Sequence, residues 1–374
     1  MGQSLQNHPL RVAHLVGAMG GAKHLWGKEN VIYRLMHAQR EKGEIDPQLI
    51  VFTACLLAEL AAKDGFPVRV LEDRQRRLPF NALRSLRKIL PKRERVVLHT
   101  HEYKANIVGR LAHATRIPMV SLVSSNYGWI NNETRALDFY QALDRWTSGL
   151  SYVTTAPDEQ MLRRFPAFVN TQYVPNGIPD RDVPSADERT RARAAFGWGD
   201  DAFVVGTLGR LSPEKGVVEF LEAARRSSGN RLIWVMAGAG PMETAVKAAQ
   251  SSHLRYVGYV DSTDAYFAAV DVFVQPSLTE ALSLSLLEAM RSQLPIIATA
   301  VGATALAVRH EREGLLVTPG DPGQLLAAAV RLEADRDFAQ RLAAQARKSF
   351  GEMWRIEAQQ RAFHELYLRS STRR

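Results

Sequence analysis

Residues 270–301, VDVFVQPSLTEALSLSLLEAMRSQLPIIATAV, decide the fold. The run VDVFVQPS is apolar with little alternation, which is how a strand covered on both faces reads. LTEA interrupts it, SLSLLEAMRSQ carries its apolar residues at helical spacing, and LPIIATAV is a second buried strand. Two buried strands joined by a helix make a parallel crossover, and sheets built from such units carry helices on both faces. Two carboxylates, Glu280 and Glu288, stand in the otherwise almost wholly apolar middle of this stretch, TEALSLSLLEAM, residues 279–290. Ser283 or Ser285 is placed to cap the helix, which puts Glu280 on the strand-end loop and Glu288 on the second helical turn. Eight helical residues span about 12 Å, so the two acids should touch different parts of one elongated ligand.

The same alternation runs outward to both ends of the chain. In the first half LRVAHLVG, PQLIVF, RVVLHTH, PMVSLVSS and SYVTTA read as buried strands separated by helical patterns. The second half repeats the scheme with AFVVGTLG, RLIWVMAG, HLRYVGYV, VDVFVQPS and LPIIATAV. The expected fold class is therefore α/β, with two doubly wound Rossmann-like domains. Breakers in VPNGIPDRDVPS place the linker near Asn176 to Pro184, giving domains over residues 1–180 and 181–354. The tail from Phe350 onward, with Trp354, Phe363 and Tyr367, reads as helical, and residues from about 355 to 374 are expected to cross back onto the first domain.

At 374 residues the chain is too long for one ordinary core. No run of eighteen apolar residues occurs and the N-terminus lacks the order of a signal peptide, so a cytoplasmic location is expected. The single cysteine, Cys55, sits in an apolar stretch and reads as core. A net charge of +9 asks for an acidic partner. It concentrates in RQRRLPFNALRSLRKILPKRER, opening on Arg74 and closing on Arg95, where nine Lys or Arg face one acid. Leu83, Leu86 and Leu90 share one helical face there. The segment suits either an anionic membrane surface or a solvated helix packed on its own sheet. No recognition helix, stacking platform or zinc spacing accompanies the charge, so nucleic acid is not expected as a partner.

Ligands in such sheets bind beyond the carboxyl ends of the strands. After the first strand, GAMGGAKHLWGKEN offers Gly17, Gly20 and Gly21 for close approach of backbone N–H groups to an anion. After the first strand of the second half, Arg210 and Lys215 can hold a diphosphate from two sides. A second glycine loop brings Gly238 and Gly240 toward the same place. No cluster of metal ligands is read in the sequence.

Together GRLSPEKG, VMAGAGP, VGYVDS, STDAYFAAVDVFVQPS, TEALSLSLLEAM, LPIIATAVGA and GLLVTPGDPGQLLAAA resemble the retaining nucleotide-sugar glycosyltransferases of family 4, which have the GT-B fold. The resemblance is strong over residues 203–332 and fainter over the first half, where it rests on the Gly20-Gly21 loop, VVLHTHEYKANIVGRLA and VPNGI. It implies an acceptor-binding first domain, a donor-binding second domain and a central cleft. Glu280 would meet the transferred sugar and Glu288 the ribose. Arg210 and Lys215 would hold the diphosphate, helped by Gly20, Gly21, Gly238, Ala281, Leu282 and Ser283, with Tyr259 and Val260 at the base. It also implies no metal and no cofactor beyond a UDP- or GDP-linked donor, with a glycan or lipid-linked acceptor in envelope polysaccharide, lipopolysaccharide or glycolipid synthesis. The enzyme would work in the cytoplasm or on the inner face of the membrane.

The chain departs from the family pattern in places. Ser124, Ser125 and Asn126 stand where many relatives carry a histidine, leaving His101 as the catalytic candidate, with His99 expected to point into the sheet. Gly302-Ala303 replaces a glycine pair, and Gln293 stands where a left-handed glycine cap is frequent, a swap costing about 1 kcal/mol. Glu102 and Glu133 are weighed as nucleophiles for a double displacement, and neither is assigned. A sugar-nucleotide epimerase of the same fold and a non-catalytic sugar-nucleotide-binding protein are the alternatives.

Overall fold

The structure is a computed structural model that describes residues 9–17, 24–71, 80–90, 96–115, 121–127, 135–199, 201–227, 231–260 and 262–372. The chain divides into one unit of Met1–Asn176 with Ile356–Arg374 and a second of Gly177–Arg355. In the first, strands β1 (Leu10–Val16), β2 (Ile45–Val51), β3 (Val68–Val70), β4 (Val96–His101), β5 (Ser121–Ser125), β6 (Val153–Ala156) and β7 (Thr171–Tyr173) form one sheet. Its order is β3-β2-β1-β4-β5-β6-β7 and all its pairs are parallel. The second unit holds β8 (Phe203–Leu208), β9 (Leu232–Ala237), β10 (Leu254–Tyr256), β11 (Val272–Gln275), β12 (Ile296–Thr299) and β13 (Leu315–Val317). These lie in the order β10-β9-β8-β11-β12-β13, again all parallel.

Both sheets are buried on two faces, as uninterrupted apolar strands require. Val204, Val235, Phe273 and Ile296 pack on one face of the second sheet, and Val205, Trp234, Val274 and Ile297 on the other. The strands that the sequence does not announce are β3, β7 and β13, three residues each and each at a sheet edge. So short a strand has no apolar run to give it away.

Strand order fixes where ligands can bind. In each sheet the chain reverses its winding direction once, between β1 and β4 and between β8 and β11. Helices leaving those paired strands go to opposite faces and open a crevice at the carboxyl ends.

Several expectations are corrected. His99 and His101 lie two residues apart, and a strand's period of two puts both on the same face, with ring centroids 4.0 Å apart. The apolar stripe of the basic helix Phe80–Ile89 is not available to a membrane. Leu86 and Leu90 are buried against Leu98, Val108 and Leu122, with Leu83 packed on them, while Asn81, Arg84, Arg87 and Lys88 are exposed. The rest of that basic segment, residues 74–79 and 91–95, lies outside the described residues. The aromatic tail is not one element. Phe350 lies in the last turn of the helix Arg336–Met353 and packs with Trp354 in the second unit, whereas Phe363 and Tyr367 of the helix Ile356–Thr372 pack on Val12, Val97 and Val123 of the first. Gln293 does adopt the left-handed conformation, at φ 55°, where it closes the helix Leu284–Arg291.

Candidate functional site

At the β8–β11 crevice the backbone is laced together by loops from five strands, β8 to β12. Gly209 N–H donates to Ala237 O at 3.1 Å and Leu211 N–H to Ala239 O at 2.9 Å, so the residues on either side of Arg210 are fixed while its side chain faces solvent. Gly238 has φ 135°, and a Cβ there would lie 1.8 Å from Gly209 O. A Cβ at Gly240 would lie 2.4 Å from Leu211 O. These glycines are needed because two strand-end loops touch backbone to backbone. Gly238 N–H also donates to Gly258 O at 2.8 Å, next to the exposed Tyr259 and half-buried Val260.

The loop after β11 is held on both sides of Glu280. Leu278 N–H and Thr279 N–H donate to Glu214 O at 2.9 and 3.3 Å, one residue before Lys215. Ala303 N–H donates to Ala281 O at 2.7 Å, one residue after Glu280. Gly302 makes this approach feasible: its φ is 49° and a Cβ would lie 1.7 Å from Glu280 O. Between these ties Lys215 Nζ meets Glu280 Oε2 at 2.5 Å, the two side chains being 30% and 12% exposed. Leu282 is buried, and Ser283 caps the next helix by accepting from Leu286 N–H at 3.4 Å, with Ser285 Oγ 2.8 Å from its own oxygen. Glu288 is buried on the second turn of that helix. The structure thus brings Lys215 and Glu280 into direct contact on a rigid strand-end loop, with Glu288 farther along the adjoining helix.

Gly20, Gly21 and Glu133 lie outside the described residues. His101 ends β4 with no exposed surface and both ring nitrogens engaged, Nε2 at 2.9 Å from His14 Nδ1 and Nδ1 at 2.9 Å from Tyr127 Oη. These two bonds tie it into a hydrogen-bonded network at the end of the first unit's sheet. His14, His99 and His101 bring their ring nitrogens within 4.8 Å of one another, a grouping the sequence hides because β1 and β4 meet only through sheet order. Gln39 sets the tautomers. His14 Nε2–H donates to Gln39 Oε1 at 2.9 Å, so His14 Nδ1 accepts from His101 Nε2–H, and Tyr127 O–H donates to His101 Nδ1. The Gln39 amide donates to Tyr367 Oη, whose proton goes to His99 Nδ1 at 2.7 Å, and His99 Nε2–H donates to Ser125 Oγ at 2.7 Å. Every ring nitrogen is satisfied, and a metal would have to displace these bonds. Burial pushes His14 down to about 4, against the pull of Gln39, and lowers His99 and His101 well below the ordinary imidazole value, so all three are neutral.

Beside this cluster, at the β1–β4 crevice, Lys28 Nζ lies 2.5 Å from Glu102 Oε2 and donates to Gly17 O at 3.1 Å. Burial works against both charges. It raises the Glu102 carboxyl despite Lys28, whereas for Lys28 the Glu102 and Glu29 carboxylates outweigh it and hold the ammonium above its usual value.

Two family models match the chain: glycosyl transferases group 1 over residues 202–335 and glycosyl transferase 4-like domain over residues 27–177. Among curated proteins, the chain is 26% identical to an Escherichia coli UDP-Gal:alpha-D-GlcNAc-diphosphoundecaprenol alpha-1,3-galactosyltransferase, over 68% of this chain and 70% of that one. It is 28% identical to a Mycobacterium tuberculosis GDP-mannose-dependent alpha-(1-6)-phosphatidylinositol monomannoside mannosyltransferase, over 66% and 68%. Among solved structures, Anabaena Alr3699/HepE in complex with UDP superposes with a TM-score of 0.81 at 18% identity, covering 96% of this chain and all of that one. A glycosyltransferase from Rickettsia africae gives 0.81 at 14% identity, over 98% and 100%. The two parallel-sheet units are those of the GT-B fold.

Proposed function

The chain belongs to the glycosyl transferases group 1 family, and from that premise we propose that it is a retaining, metal-independent enzyme moving a sugar from a UDP- or GDP-linked donor to a hydroxyl acceptor. The observation that carries this reading is the Lys215–Glu280 contact at the β8–β11 crevice, fixed by backbone bonds one residue from each partner. Paired with each other, the two side chains wait in place for a ligand. On donor binding the ammonium turns to the diphosphate and the carboxylate accepts from sugar hydroxyls. Glu288, one helix further on, takes the ribose hydroxyls, and the backbone near Tyr259 meets the base. Arg210, Lys215 and the N-terminus of the helix Leu284–Arg291 then stabilise the negative charge that grows on the leaving diphosphate.

Retention follows from a front-face displacement. The bond from the anomeric carbon to the diphosphate breaks, the bond to the acceptor oxygen forms on the same face, and the acceptor's proton goes to a phosphate oxygen. A double displacement would need a carboxylate on the opposite face of the sugar, and no residue is assigned to that role. His101 acts by position, holding Tyr127 and His14 within the first unit. The curated relatives' lipid-linked acceptors support an envelope glycan or glycolipid as the product, made on the cytoplasmic side of the membrane. Among the described residues no helix is long and apolar enough to cross a membrane, so such an acceptor would be met at the membrane surface.

Nucleotide release from UDP- and GDP-sugars, measured with and without octyl glycoside acceptors and in EDTA, tests the proposal. Acceptor-dependent, EDTA-resistant release is expected, and Glu280→Ala or Lys215→Ala should lower kcat by about 100-fold or more with the fold intact. Conversion of the donor at full rate without acceptor would favour an epimerase, and full activity in either variant would sink the site.

A further inference from the structure

The first unit repeats the design of the second at its own crevice. In both sheets a lysine from the segment after the first crevice strand meets a glutamate that follows the other crevice strand: Lys215 with Glu280 beyond β8 and β11, Lys28 with Glu102 beyond β1 and β4, each at 2.5 Å. We infer that Lys28 and Glu102 form a second ligand site, in which the Glu102 carboxylate accepts hydrogen bonds from hydroxyls of a sugar or polyol acceptor.

Three observations separate this pair from a structural ion pair. Glu102 has φ 71° and ψ 168°, a region that is essentially glycine's and costs a residue with a side chain about 1–3 kcal/mol. The chain holds it there through Glu102 N–H to Ser125 O at 2.9 Å and Asn106 N–H to Glu102 O at 2.8 Å. A glycine would meet the backbone demand without strain, so the position is occupied for the sake of its carboxylate. The pair is also open to solvent in part. The Lys28 and Glu102 side chains are 13% and 25% exposed, whereas those of Arg110 and Asp144, an ion pair in the same unit, are fully buried. Finally, the position is the crevice at which parallel sheets bind ligands. Lys28 is itself fixed by Gly17 O and lies 3.8 Å from Glu29, so it holds the Glu102 carboxylate in place through one oxygen while the side chain stays partly open to solvent.

The inference rests on the glycosyltransferase reading for the nature of its ligand, and the test keeps the two apart. Steady-state transfer is measured to whichever of a panel of n-octyl glucoside, galactoside and mannoside the wild type uses best, with donor and acceptor varied separately. Glu102→Gln should raise the acceptor KM about tenfold or more, the loss of one hydrogen bond to a charged group, and leave the donor KM in place. The double variant Lys28→Met/Glu102→Gly removes both the charge pair and the backbone strain; it should keep its Tm and show the same rise in acceptor KM. A folded variant of either kind with the wild-type acceptor KM overturns the site, as does a donor KM that rises with the acceptor's. Absence of nucleotide release from every donor in the wild type would instead count against the parent reading.

Discussion

Lys215 and Glu280 stand 65 positions apart, yet they meet because each follows a strand bordering the same crevice. The residue types were legible: two acids in an apolar stretch and two cations on a strand-end loop are hard to explain as core. What the sequence did not disclose is the contact itself, since side-chain pairing depends on sheet order and not on spacing. The buried histidines make the same point. Each reads as an unremarkable strand residue, and only the register of β1 on β4 joins them. Their titration has a consequence for stability. His14 falls from an ordinary value near 6.5 to about 4 on folding, so the unfolded chain binds more protons below pH 6.5. Stability is complete above that value and lost as pH falls toward 4, with His99 and His101 adding to the loss in the same direction. Each group contributes about 1.4 kcal/mol per pH unit once its unfolded form is protonated. The urea midpoint should therefore fall clearly between pH 7 and pH 5.5, before carboxylates titrate; a flat midpoint across that window would contradict the neutral cluster.

At the scale of elements, buried strands and the helix after β11 were legible because a parallel sheet writes itself as uninterrupted apolar runs. Ser283 as helix cap was one of two readings, and the backbone N–H of Leu286 decides between them. The loops were less legible. Gly302 looked like part of a family departure, but it is the point at which the loop after β12 touches the loop carrying Glu280. Alanine there must push the Glu280 carbonyl away and adopt a positive φ. Gly302→Ala is expected to lower kcat by about 10-fold or more through displacement of Glu280, while changing the far-ultraviolet circular dichroism little. Wild-type turnover in a folded Gly302→Ala protein would show that the loop tolerates movement and that its rigidity does not matter. The basic helix teaches the opposite lesson. Its amphipathic pattern was real, but an apolar stripe with cations around it looks alike whether it faces lipid or its own sheet, and here Leu86 and Leu90 are in the core.

On the scale of the whole molecule, the chain leaves the first unit after Asn176 and returns to it at Ile356, so its last helix packs on the sheet that its first strand began. The sequence puts that return at about residue 355, and Phe350 and Trp354, which precede it in the same helical pattern as Phe363 and Tyr367, pack in the other unit. Each unit carries a Lys–Glu pair at its crevice, and the nucleotide is assigned to the second of them. A thermal-shift titration with UDP, GDP and ADP, run on the wild type, Lys215→Ala and Glu288→Ala, addresses that assignment directly. One diphosphate should raise the wild-type Tm in proportion to the logarithm of its concentration, with the rise lost or displaced to at least about tenfold higher concentration in both variants. Equal shifts in all three proteins, or no shift with any nucleotide, would contradict it.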